Sequence, residues 1–289
     1  MNHVSLIGGH VSVAGGLATG GLRAASEIGA EVIQVFVTNP RGWALAEGDP
    51  TEDALLRESG MPCFVHAPYL VNLGSPNPET LDRSAATVRH CLRRAHAVGA
   101  RGVVVHTGSA VTDTREKALL RLRERLLPLL DEVPGDGPDL LLEPMAGQGA
   151  MLCATVQDLE PYLAALDWHP RARVCLDTCH TFAAGHDIST EAGVAETLDA
   201  LHALAPGRLG LVHANDSKDV CGSKKDRHAN IGTGHIGVRA FGHLLRHPVV
   251  VGVPVCVETP GSAARADIET LKGLRPAVRC SPATAGTTL

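Results

Sequence analysis

Residues 102–143 read GVVVHTGSAVTDTREKALLRLRERLLPLLDEVPGDGPDLLLE. The stretch opens on one continuous apolar run, GVVVH (102–106), and closes on another, DLLLE (139–143). A strand with one wet face alternates apolar and polar residues, whereas a strand covered on both faces does not. Both runs therefore read as buried parallel strands, and 115–131 between them reads as the helix that carries the chain back across the sheet.

The same unit recurs in both directions. Further runs are VSLIGG (4–9), EVIQVFV (31–37), PCFVH (62–66), RVCLD (173–177), LGLVH (209–213) and VPVCVE (253–258), which makes eight in all. Helix-compatible stretches follow them at 19–28, 51–58, 78–98, 155–166, 190–204, 236–246 and 264–273. Pro78 is placed to open one helix and Gly99 to close it, and Ser189 or Thr190 to cap another. Eight successive strand–helix units predict an α/β protein that closes as a single (β/α)₈ TIM barrel over residues 1–275. A length of 289 residues suits one such barrel. The tail 276–289 has no period and small polar residues, so disorder is expected there.

Composition narrows the setting. No apolar run reaches the roughly 18 residues that a membrane span needs. The opening MNHVSLIGGH lacks a basic segment followed by an apolar one, so no signal peptide and a cytoplasmic location are expected. Of the eight cysteines none forms a C-x-x-C pair, and several lie in strand-like runs, where Cys packs as a small hydrophobe. The net charge of −5 weighs against a nucleic-acid partner unless bound cations offset it at the phosphate.

The strand ends carry the chemistry. The third run ends in His66, the fourth in His106, the fifth in Glu143, the sixth in Asp177, the seventh in His213 and the eighth in Glu258. In a barrel these ends share one rim, where active sites form, so the six side chains converge. One histidine at a strand end is as a rule a hydrogen-bonded structural residue, but so many buried charges together are costly without a cation. Three histidines and three carboxylates suit zinc, manganese or iron. Just beyond lie His180, three residues after Asp177, and Asp226 and His228, which flank Arg227 and point to one side if the segment is extended. That second cluster is enough for another ion. His90, His96, His169, His202, His243 and His247 fall on helices or loops and are expected in solvent.

These residues lie in stretches that resemble the endonuclease IV (deoxyribonuclease IV) family of AP endonucleases. They are GGHVSVAGGL (8–17), QVFVTNPRGW (34–43), VHAPYLVNLGSPN (65–77), VHTGS (105–109), LEPMAGQG (142–149), CLDTCHTFAAGHD (175–187), HANDSKDVCGSKKDRHANIGTGHIG (213–237) and VETPG (257–261). The resemblance implies a zinc-dependent enzyme of DNA base-excision repair, a monomer, that cuts the phosphodiester 5′ to an abasic site in double-stranded DNA and leaves a 3′-hydroxyl and a 5′-deoxyribose phosphate. It implies three zinc ions: His66 and His106 on one, Asp177, His213 and Glu258 on a second, Glu143 bridging these two and acting in catalysis, and His180, Asp226 and His228 on the third. It also implies that Arg41, Tyr69 and Leu70 enter damaged DNA. Lys218, Lys224, Lys225 and Arg227 are placed to meet phosphates. Two departures stand out: Pro144 and Met145 follow Glu143 where the family has Asn-Thr, and the segment from Trp43 to His66 is short. A metal-dependent sugar isomerase or epimerase on a related barrel, and a damage-binding protein without activity, are the competing readings. The first needs neither the His180, Asp226, His228 cluster nor the Arg41, Tyr69, Leu70 wedge, and the second needs no ligand set.

Overall fold

The computed structural model describes residues 4–276, so the tail expected from 276 onward lies, but for Pro276, outside the described residues. Eight parallel strands close into a barrel: β1 (Ile7–His10), β2 (Ile33–Val35), β3 (Cys63–His66), β4 (Gly102–His106), β5 (Asp139–Glu143), β6 (Ala172–Asp177), β7 (Leu209–His213) and, after a two-stranded ribbon of β8 (Asp216–Ser217) and β9 (His228–Ala229), β10 (Val255–Val257). β1 closes the ring by pairing with both β10 and β2. The helices α1 (Thr19–Ile28), α2 (Pro50–Glu58), α3 (Pro78–Ala97), α4 (Arg115–Asp131), α5 (Leu159–Ala165), α6 (Thr178–Ala183), α7 (Glu191–Leu204), α8 (Val238–Arg246) and α9 (Ser262–Leu274) follow in chain order. No helix among the described residues is long and apolar enough to cross a membrane.

Every predicted strand is present, and the caps behave as the side chains dictate. Asn77 accepts from the Thr80 amide with Pro78 next to it, and Thr190, rather than Ser189, accepts from the Gly193 amide. The stretch 155–166 is split into a 3₁₀ turn at Val156–Asp158 and the helix α5. Asp158 causes the break, because its carboxylate turns back to accept from the amides of Ala154 and Thr155.

The barrel separates two apolar regions. The larger lies between the sheet and its helices. The smaller fills the barrel itself with Val32, Phe64, Val104, Leu141, Cys175, Leu211 and Cys256, with Leu6 packed against them, one side chain on or just before each strand. This plug closes the interior against water and is the floor on which the rim is built.

Candidate metal centre

A strand points every second side chain the same way. Two residues after each plug side chain, the strands therefore aim inward again: Phe64 is followed by His66, Val104 by His106, Leu141 by Glu143, Cys175 by Asp177, Leu211 by His213 and Cys256 by Glu258. On β2 the same step leads from Val32 to Gln34, and on β1 from Leu6 to Gly8. Gly8 admits no side chain, since a Cβ there would lie 1.7 Å from the Val32 carbonyl oxygen. Register brings neighbours level, His106 with Glu143 and Asp177 with His213.

Glu143 lies at the middle of this layer, and its two oxygens face different ways. Oε2 lies 3.3 Å from His66 Nε2 and 3.4 Å from His106 Nε2. Oε1 lies 3.0 Å from His213 Nδ1 and 3.4 Å from His180 Nδ1. The donor atoms of His66, His106 and Glu143 form one group within 4.8 Å, and those of Glu143, Asp177, His213 and Glu258 form another. The second group is held by amides: Asn215 Nδ2 donates to Asp177 Oδ2 at 2.7 Å and to Glu258 Oε2 at 3.1 Å.

His180 arrives on α6, a six-residue helix that the sequence reading missed. All six of its residues are buried, so it has no amphipathic period to betray it. Asp177 starts this helix by accepting from the His180 amide on Oδ1 at 2.8 Å, while its Oδ2 faces the centre. Asp226 and His228 lie on an extended segment and do point to one side, 3.1 Å apart, with Arg227 turned away. Asp226 also lies 3.2 Å from His180 Nε2. Asp177, His180 and His228 form a third group within 4.8 Å, and Cys179, Asp226 and His228 a fourth. Asp177 thus belongs to two groups, not only to that of His213 and Glu258.

The charged groups at the centre shift one another. Burial alone would raise the Glu143 carboxyl, yet the neighbouring His213 and His106 hold it well below the usual range. Against burial, Asp177, Asp226 and Glu143 push His180 up to about 10, and Asp226 and Asp177 push His228 up to about 8. Asp226 is held low by His180 and His228, and Glu258 falls to about 2 beside His213. Despite burial, His213 is pushed well up by Cys175, Glu258 and Glu143, and because the Cys175 thiol is itself raised to about 12 by burial, the carboxylates carry the pull. The buried Nε2 atoms of His180 and His228 face the Asp226 carboxylate at 3.2 and 3.1 Å but do not meet it in hydrogen-bond geometry. Histidine nitrogens and carboxylate oxygens aimed together at one space fit divalent cations of the zinc type.

The centre opens as a pocket of about 280 Å³ lined by His66, Tyr69, His106, His180, Asp226, His228 and Glu258. Tyr69 and Leu70 stand at its mouth, 51% and 38% exposed. The Tyr69 amide donates to the Pro40 carbonyl at 3.0 Å, which ties this loop to the one bearing the exposed Arg41. A larger groove of about 760 Å³ continues from Tyr69 and Glu258 toward Arg94.

Other expectations fare unevenly. Arg227 is engaged by both oxygens of Asp219 at 2.6 Å, and Lys225 lies 3.6 Å from the same carboxylate. Lys218 and Lys224 remain exposed. His90 is buried, against the expectation of solvent, because the loop around Ala46 and Glu47 covers that face of α3. Pro144 keeps a supporting role through its backbone, its carbonyl lying 3.1 Å from His180 Nδ1. The sequence reading gave no role to Gln34, His10, Asn215 or Asp216. Gln34 could have been found as the residue two beyond Val32, level with the ligand-type residues of the other strands. Asp216 accepts from the amides of Ser217, Gly232, Gly234, Ile236 and Gly237, and so shapes the segment after His228. A Cβ at Gly234 would lie 2.3 Å from the Ser217 carbonyl oxygen, so that wrap requires glycine.

Residues 22–276 match the family described as the xylose isomerase-like TIM barrel. A protein of Streptomyces coelicolor named "Probable endonuclease 4" is 55% identical over 279 residues, covering 93% of this chain and 95% of that one. The crystal structure of endonuclease IV from Thermus thermophilus superposes with a TM-score of 0.82 at 32% identity, covering 93% of this chain and 98% of that one. A D-tagatose 3-epimerase-like protein superposes at 0.72 with 19% identity, covering 93% of this chain and 96% of that one, a likeness of fold alone.

Proposed function

The chain belongs to the endonuclease IV family and is a nuclease, and from that premise we propose that it is a zinc-dependent AP endonuclease of base-excision repair. It hydrolyses the phosphodiester 5′ to an abasic site in double-stranded DNA, leaving a 3′-hydroxyl and a 5′-deoxyribose phosphate. It works in the cytoplasm and as a monomer.

The observation that carries this reading is the convergence of nine His, Asp and Glu side chains at one barrel mouth, with Glu143 facing histidines on both sides. Three zinc ions suit the set. His66 and His106 hold one, and Asp177, His213 and Glu258 another. Glu143, with its two oxygens facing these two groups, would help to hold both ions. His180, Asp226 and His228 hold the third. When bound, zinc supplies positive charge against the scissile phosphate and a nucleophile at neutral pH.

The protein's own groups do the rest. Glu143 fixes the geometry at the centre of the layer, because its oxygens are held by histidines on both sides. The exposed Lys218 and Lys224 meet DNA phosphates. Arg41, Tyr69 and Leu70 fill the gap left by the missing base. An abasic site lacks a stacked base, so bending and opening the duplex cost less there than in intact DNA. That difference is the source of selectivity. No observation favours a sugar epimerase beyond the shared fold.

The test is incision of a duplex carrying one tetrahydrofuran abasic analogue, with and without a chelator. Incision 5′ to the analogue, lost on chelation, is expected. Intact duplex after incubation with zinc-replete protein overturns the proposal.

A further inference from the structure

The motif residues His10 and Gln34 have no part in the ligand set, yet they complete its layer. Gln34 is fully buried and occupies on β2 the position that holds a ligand-type residue on six other strands. Its amide nitrogen lies 2.8 Å from Glu258 Oε1 and 3.1 Å from His10 Nδ1, and its amide oxygen lies 2.8 Å from His213 Nε2.

These contacts fix one another by elimination. An ionised carboxylate only accepts, so the Gln34 NH₂ must face Glu258, and the amide cannot be flipped. The Gln34 oxygen then faces His213, and a carbonyl oxygen also only accepts. His213 must therefore carry a proton on Nε2 and donate it to Gln34. Its Nδ1 is left to face Glu143 Oε1 at 3.0 Å, Glu258 Oε2 at 3.5 Å and Asp177 Oδ2 at 3.9 Å. The second Gln34 N–H goes to His10 Nδ1, which sets the amide plane. His10 is in turn held against Phe36, ring centroids 4.4 Å apart.

We propose that His10 and Gln34 are positioning residues for the metal position of Asp177, His213 and Glu258, with Gln34 setting which nitrogen of His213 binds metal and His10 setting the orientation of Gln34. The inference rests on the zinc reading above. Groups that orient metal-bound histidines and carboxylates in this way typically change metal affinity roughly 10- to 100-fold when removed.

The experiment measures zinc by elemental analysis and by competition with a chromophoric chelator, on the full chain. In Gln34→Met the dissociation constant of one ion is expected to rise about 10- to 100-fold with the other ions little changed. Nitrogen-15 spectra of the zinc-loaded wild type are expected to show His213 protonated at Nε2 and bound through Nδ1. His10→Gln, whose side-chain oxygen can accept from Gln34, should keep near-wild-type affinity, whereas His10→Leu should lose it. This pair decides the matter should Gln34→Met fail to fold. Unchanged zinc binding in Gln34→Met, equal binding in the two His10 variants, or His213 bound through Nε2 overturns the inference. A wild type that holds no zinc overturns the metal reading and this inference with it, whereas a zinc-replete wild type with unaffected variants overturns the inference alone.

Discussion

Two layers of the same barrel lie two residues apart and do opposite things. The lower one, with Val32, Phe64, Val104, Leu141, Cys175, Leu211 and Cys256, is apolar and excludes water. The upper one, with Gln34, His66, His106, Glu143, Asp177, His213 and Glu258, holds buried carboxylates set against histidines. Both point inward for the same reason, the alternation of the strand. The difference lies wholly in residue type, and a site of this kind is therefore one layer of a core exchanged for ligand-type residues. The lower layer gains by burial, while the upper layer gives up that gain and holds buried charge instead.

The contrast is tested most severely by truncating one member of each layer on the same strand. Glu143→Ala is expected to cut the incision rate at least about a thousandfold, about 4 kcal/mol of transition-state stabilisation. Its fold should persist, because the carboxylate is already in tension with its burial. Single-turnover incision with zinc-replete variant checks this, and a tenth or more of the wild-type rate remaining rules Glu143 out as the bridge. Leu141→Ala, two residues earlier, should do the reverse. It is fully buried, and Gly102 and Gly210 beside it offer no side chain to fill the void. A loss of about 3 kcal/mol in denaturant unfolding is expected, with the rate per folded molecule little changed.

A smaller effect is expected where a support of the upper layer is weakened. Asp216, fully buried, takes up the amides that follow β9. In Asp216→Asn an NH₂ group faces N–H donors, so about 2 kcal/mol of stability should be lost. Hydrogen exchange at Gly232, Gly234 and Ile236 should speed up as well, and protection there equal to wild type would show that the loop holds itself.

Much of both layers was legible in the sequence, for a physical reason. A strand covered on both faces must be continuously apolar, so the eight strands announced themselves, and GVVVH and DLLLE matched the observed bounds. The convergence of the six rim residues followed because each is the last residue of its run. What failed was structure made by tertiary contact rather than by period. The helix α6 is too short and too buried to show a face. His90 lies on a helix whose covering loop no local pattern announces. Gln34 was passed over because an amide is not a ligand type, although its place in the alternation was as plain as that of His66.

Above both layers stands Tyr69, at the rim, and the smallest effect tests whether it belongs to the site or to the core. Its ring lies edge-on to Phe36 at 5.5 Å and close to His66 and His106, yet half of its surface is in water. A residue that only packs gives up burial when truncated, so its loss lowers the melting temperature. A residue that stacks in an opened duplex gives up contact with DNA instead, worth roughly 1–3 kcal/mol for a full stack. Because Tyr69 is already partly covered, Tyr69→Ala should weaken binding of abasic duplex about tenfold, about 1.4 kcal/mol. Zinc content and melting temperature should stay near wild type, and Tyr69→Phe should retain most of the affinity, since the ring face and not the hydroxyl makes the contact. Unchanged affinity together with a clear fall in melting temperature would move Tyr69 from the wedge to the wall of the pocket.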